Sequence, residues 1–171
     1  QLAKHLGATI ATTTSADNFE LVKSLGADVT IDYKTQDFET TLKDYDLVLN
    51  SQDEKTLEKS LRILKSGGKV ISISGPPDEA FAKEISLSWF MKTAIFFLSR
   101  KVKSQAKKLK VDYSFLFMQA NGKQLSEIGK LIETGVIRPV VDKVYSFEQL
   151  NEAMSYVSSG RAKGKVIVKV K

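Results

Sequence analysis

Residues 44–74 read DYDLVLNSQDEKTLEKSLRILKSGGKVISIS, and this stretch decides the fold. Asp46 to Asn50 is an apolar run of the kind buried on both faces of a parallel sheet. From Glu54 to Lys65 the apolar residues Leu57, Leu61, Ile63 and Leu64 recur at helical spacing. Ser66-Gly67-Gly68 ends that helix, and Lys69 to Ser74 is a second buried strand. Gly75-Pro76-Pro77 then breaks the chain sharply. Strand, helix, turn and strand in this order make a βαβ unit, whose two strands must run parallel.

The same alternation continues in both directions. Upstream, residues 1–6 read as a helix end with Gly7 as its left-handed cap, followed by a strand over Thr9–Thr14. Ser15 or Asp17 is expected to cap a helix carrying Phe19, Leu21, Val22 and Leu25, and Val29–Asp32 is a short strand before a helix over Asp37–Lys43. Downstream, a long helix is expected over Leu87–Leu109, apolar first and lysine-rich later. A strand over Val111–Met118, a helix over Gln124–Glu133, a strand over Val140–Tyr145, a helix over Phe147–Val157 and a last strand over Lys165–Val170 complete the pattern. The expected class is α/β: a Rossmann-like, mainly parallel sheet with helices on both faces.

Composition narrows the chemistry. The chain has 171 residues, 42% of them hydrophobic, enough for a packed domain. There is no cysteine, and His5 is the only histidine, so neither zinc nor a thiolate nucleophile is expected. A reducing compartment, the cytoplasm, is the expected location. The net charge of +6 is densest between Lys101 and Lys110, where no aromatic residues interleave; the run reads as a solvated helix face, and no nucleic acid partner is expected. The apolar run Trp89–Leu98 is broken by Lys92 and falls short of the ~20 residues that span a bilayer, so neither a membrane partner nor a leader peptide is expected.

Open parallel sheets bind ligands at the carboxyl ends of their strands, which directs attention to Thr14, Ser15, Asp32, Tyr33, Asn50, Ser51, Ser74, Gly75 and Phe117. An acid ending the second strand of a dinucleotide fold would hold the ribose hydroxyls of NAD. Here that strand ends in Thr12-Thr13-Thr14-Ser15, which leans to NADP over NAD. No Tyr-x-x-x-Lys pair and no G-x-x-x-x-G-K-[ST] loop occurs, and no catalytic residue is singled out. Hydride transfer needs none, because the cofactor carries that chemistry.

Several pieces together resemble one family. QLAKHLGA (1–8) is similar to the tail of the helix behind a glycine-rich turn. NFELVKSLGADVTIDYKTQDF (18–38), DYDLVLNS (44–51), LRILKSGGKVISIS (61–74) and the ending from Gly122 to Val170 follow in family order. The chain thus resembles the medium-chain dehydrogenase/reductases, in the zinc-independent quinone oxidoreductase branch. The resemblance implies an NADP-dependent reductase of quinones, enones or related carbonyl compounds, with a small-molecule substrate. By matching position it implies Thr14, Ser15 and Asn18 near the 2′-phosphate and Tyr33 on the adenosine side. Asn50, Ser74 and Gly75 would line the cofactor groove, Phe115 and Phe117 would flank the nicotinamide, and Arg161 and Lys165 would lie towards the phosphates. Asn18 stands where the family has a base, Asn50 where it has Asp, and Asp53 where it has Gly.

The family's first strand and its glycine turn find no match in these residues, so the chain reads as a piece of a longer protein that alone binds cofactor poorly and catalyses nothing. Residues 1–137 read as a truncated dinucleotide-binding domain and 138–171 as a segment returning to an absent substrate domain. The apolar strand 111–118 would be a liability as an exposed edge and is expected to pair with its copy in a homodimer. Two other readings share parts of the pattern: an S-adenosylmethionine-dependent methyltransferase-type domain and a non-enzymatic nucleotide-binding module.

Overall fold

The parallel pairing expected from residues 44–74 is the organising feature of the structure. It is a computed structural model that describes residues 1–170; Lys171, the last residue of the expected C-terminal segment, lies outside the described residues. Two compact units form, one from residues 37–120 and one from residues 1–36 together with 121–171.

In the unit of residues 37–120, helix α3 (Phe38–Thr41) precedes strand β3 (Tyr45–Asn50), helix α4 (Glu54–Arg62) and strand β4 (Leu64–Ser72). Helices α5 (Glu79–Glu84) and α6 (Trp89–Lys108) lead into β5 (Asp112–Phe115), and the sheet order is β3-β4-β5 with both pairings parallel. Leu57 and Leu61 on α4 are four residues apart and share a face, as do Val102 and Ala106 on α6. Both faces pack with Leu64, Val70 and Val111 into one buried cluster. Asp53 and Ser88 cap α4 and α6 by accepting backbone N–H bonds from Thr56 and Met91.

Three expectations change here. Helix α4 stops at Arg62, not Lys65, because Leu64 enters the sheet opposite Tyr45; residues 65–68 then loop out before Lys69 pairs with Leu47. Ile73 and Ser74 lie past the end of β4, and Leu116 to Met118 past the end of β5. The 46–50 run is not buried on both faces: Leu47 is 55% and Leu49 66% exposed on one face of β3, while Val48 on the other face packs against the buried cluster. Helix α5, absent from the sequence reading, is a single short element capped by Asp78.

The lysine-rich end of α6 is tied down by ion pairs. Lys101 reaches Glu54 and Glu58 at 2.8 Å each, and Lys103 reaches Glu79 at 3.2 Å. Hydrogen bonds to Glu54 and Glu58 push the Lys101 ammonium above its ordinary range. Near α3, the Lys59 ammonium bonded to Asp37 holds that carboxyl below the usual carboxylate range.

The other unit holds helix α1 (Leu2–His5), strand β1 (Ala11–Thr14), helix α2 (Phe19–Ser24) and strand β2 (Val29–Asp32), with β1 and β2 parallel. Helix α7 (Gly122–Glu133), strand β6 (Val141–Ser146), helix α8 (Leu150–Ser158) and strand β7 (Lys165–Lys169) complete it, and β6 and β7 also pair in parallel. Ile31 and Ala153 are its buried apolar residues. The α/β class with parallel strands therefore holds, although among the described residues the strands form three short sheets and not one. Among the described residues, no helix is long and apolar enough to cross a membrane.

Candidate functional site

The carboxyl ends of β3 and β4 bring Asn50, Ser72, Ser74 and Gly75 together. Asn50 and Ser72 are buried, at 3% and 0% exposure. Ser72 Oγ donates to Asn50 Oδ1 at 2.9 Å, and Ser74 Oγ lies 3.3 Å from the same oxygen. Ser72 Oγ in turn accepts from the Gly75 backbone N–H at 2.9 Å. Gly75 has no room for a side chain: a Cβ there would stand 2.8 Å from Tyr113 Oη and 2.9 Å from Ser72 Oγ. Buried polar groups need partners, and here each hydroxyl has one, so the turn after β4 is held rigid. Ser72, the centre of this network, escaped the sequence reading, which stopped at Ser74. Strand alternation could have found it, since it places Ser72 on the same face as the core residue Val70.

At the neighbouring end of β5, Phe115 is half-buried and Phe117 is 62% exposed. The phenol of Tyr113 donates to the Pro76 carbonyl at 2.5 Å. Burial, and then the charge of Asp78, push that phenol above its ordinary range, so it remains a donor at neutral pH.

In the unit with β1, the tip of that strand gathers three expected residues. Asn18 Nδ2 donates to Thr14 Oγ1 at 3.4 Å and Ser15 Oγ at 3.3 Å. Asn18 Oδ1 is buried without a hydrogen-bond partner. Neither Ser15 nor Asp17 caps a helix through its side chain; residues 16–18 form a short 3-10 turn in front of α2. The Tyr33 N–H donates to Thr14 O at 3.3 Å, and its side chain is 61% exposed.

A cation reaches this turn: Lys163 Nζ donates to the Asp17 carbonyl at 3.4 Å. The sequence reading named its neighbours Arg161 and Lys165. Arg161 instead lines an open hollow of about 640 Å³ with Lys143, Tyr145 and Tyr156, and Lys165 lies on β7, its N–H donating to Val140 O at 2.7 Å. In that hollow Lys143 Nζ sits 3.9 Å from the centre of the Tyr156 ring, whose hydroxyl donates to Asp142 at 2.8 Å. Among the described residues, no group of three or more His, Cys, Asp or Glu side chains is placed to hold a metal.

Among the described residues, the tip of β1 thus gathers the hydroxyls of Thr14 and Ser15 and the Asn18 amide, with the Lys163 ammonium beside the turn and no carboxylate bonded into the cluster. The zinc-binding dehydrogenase family matches residues 25–168. The mitochondrial NAD(P)H oxidoreductase RTN4IP1 of Danio rerio is 33% identical over 99% of this chain and 45% of its own length. The 2-methylene-furan-3-one reductase of Solanum lycopersicum is 31% identical over 98% of this chain and 36% of its own. Among solved structures, the quinone oxidoreductase of Coxiella burnetii shares the fold at a TM-score of 0.76 and 24% identity, covering 99% of this chain and 47% of that one. The chain thus spans less than half the length of these relatives.

Proposed function

Because the chain belongs to the zinc-binding dehydrogenase family, within the medium-chain dehydrogenase/reductases, we propose that it is the cofactor-binding part of a longer reductase. The enzyme uses NADPH and reduces a quinone, an enone or a related carbonyl compound without zinc. One observation supports the preference for NADPH: the Thr14 and Ser15 hydroxyls at the tip of β1 are bonded to the Asn18 amide and to no carboxylate, with the Lys163 ammonium beside the turn. Thr14, Ser15 and Asn18 hold the adenosine ribose with its phosphate, and Tyr33 covers the adenine side. Asn50, Ser74 and Gly75 present the rigid turn after β4 to the cofactor, with Phe115 and Phe117 beside the nicotinamide. Arg161 and Lys165 serve the phosphates, and to them we add Lys163. When bound, the nicotinamide supplies the hydride; these residues bind and orient it.

The sequence holds no glycine-rich phosphate loop, so the chain by itself binds cofactor weakly and turns nothing over. Residues 138–171 lead back to the substrate-binding part of the enzyme, and the cytoplasm is the proposed location. Titrating the full-length protein with NADPH, NADH and S-adenosylmethionine tests the reading. NADPH binds tightest, and Lys163→Ala weakens NADPH by about tenfold with little effect on NADH, the size of one charge-assisted hydrogen bond. A protein that prefers no reduced nicotinamide, or prefers S-adenosylmethionine, is not this enzyme.

Among the described residues β5 has a partner on one side only, and Leu116 and Met118 just past its end are 54% and 80% exposed, which supports a homodimer through residues 111–118. Size-exclusion chromatography of the full-length protein then gives a dimer that Leu116→Lys shifts towards monomer. A wild-type monomer at working concentration removes the dimer.

A further inference from the structure

Helix α5 is pinned to the strand end beside the proposed nicotinamide site. Asp78 is 4% exposed, and its carboxylate is shared. Oδ1 accepts the Phe81 N–H at 2.9 Å, and Oδ2 accepts the Phe115 N–H at 3.1 Å. One side chain thus ties the first turn of α5 to the end of β5. A second tie closes the far side, where Gln119 Nε2 donates to Glu84 at 2.8 Å. Between the two ties three rings meet. Phe81 stands edge-on to Phe115, with centroids 5.2 Å apart and planes at 81°, and tilts at 55° to Phe117 across 5.7 Å.

The polar atoms next to the rings are engaged within the fold. Asp78 is buried, the Tyr113 hydroxyl is spent on Pro76, and the N–H groups of Phe81 and Phe115 are spent on Asp78. The surface left over is aromatic, and its outermost ring, Phe117, is uncovered. Such rings favour flat partners in stacked or edge-on contact, and a polar group brought against them loses water without gaining a hydrogen bond. Because the rings are already held from both sides, little ordering cost is left for binding.

We propose that Phe81, Phe115 and Phe117 form a fixed apolar wall that selects flat, conjugated carbonyl substrates with an alkyl or aryl tail over small polar ones, and that Asp78 is its positioning residue. This rests on the reductase reading above. The test follows NADPH oxidation by the full-length enzyme on a series of 1-alken-3-ones from four to eight carbons. In the wild type kcat/KM rises about threefold per added methylene, carried by KM. Phe117→Ala, at an exposed position with little folding cost, and Phe81→Ala flatten that slope, read as the ratio of kcat/KM between the eight-carbon and four-carbon substrates of the same variant. Phe81→Leu, which keeps an apolar side chain, retains most of the slope, and Asp78→Asn loses part of it without changing NADPH affinity. Turnover with a flat wild-type series, or with the same slope in Phe117→Ala, overturns the wall alone. Failure to oxidise NADPH with any enone or quinone overturns the reductase reading and the wall with it.

Discussion

Leu57→Ala lowers the stability of the unit formed by residues 37–120 by about 3–4 kcal/mol, within the range for a leucine removed from a packed core. Leu57 is 1% exposed and sits in the cluster of Leu61, Leu64, Val70, Val102, Ala106 and Val111. Its neighbours come from a helix face on one side and a strand on the other, so the surroundings cannot collapse into the gap without shifting both. The consequence reaches the site. Leu57 Cδ2 lies 3.0 Å from where a Gly75 Cβ would stand, so this leucine supports the turn that Ser72 holds by hydrogen bonding. Urea unfolding of the full-length protein gives the stability change, and NADPH titration of the still-folded fraction gives a weaker affinity. A loss below about 1 kcal/mol would mean the position is not a core site.

The parts of the fold that local pattern governs could be read from the residues. Val29 to Asp32 is a strand with the bounds expected of it, and the apolar spacing of Leu57 and Leu61 marks the inner face of α4. The same spacing misled two residues later. Ile63 and Leu64 continue a helical period, but a strand buries Leu64 as well as a helix would, and the pairing with Tyr45 decided it. Tertiary contact also decided α5. Six residues are too few for helix propensity to act on, and the element exists because Asp78 caps it and clasps it to Phe115. A capping aspartate three residues before Phe81 was the available signal, hidden by the Pro76-Pro77 pair in front of it.

The site was legible to the extent that it lies at strand ends. Thr14 and Asn50 end β1 and β3 as expected, whereas β4 stops at Ser72, two residues before the expected Ser74, and the contact of Lys163 depends on which atoms meet across the chain. Lys163 lies 146 residues from Asp17 in sequence, and nothing local to either residue announces the contact. Leu47 and Leu49 illustrate the opposite case. Their apolar character speaks for a fully covered strand, yet both are exposed while Val48 between them packs on the core, because what packs on each face, not the composition of the run, decides burial.

Gly164→Ala has the largest expected effect in the unit with β6 and β7. A Cβ at this position would stand 2.5 Å from the Val140 carbonyl oxygen and 3.0 Å from its carbonyl carbon. These are backbone atoms, so no side-chain rotation relieves the clash. The only relief is to move the strands apart at the point where Lys165 N–H donates to Val140 O at 2.7 Å, which sets the pairing of β6 with β7. Overpacking and one lost hydrogen bond together cost about 3 kcal/mol. The damage is local at first. Hydrogen exchange of the full-length protein shows faster exchange at the amides of Val166 to Val168, while those of β3 and β4 keep their protection. Because Lys163 precedes this glycine directly, NADPH affinity falls with the strand pairing. Unchanged protection at Val166 to Val168 in the variant would show that the backbone around Val140 yields more easily than close packing allows.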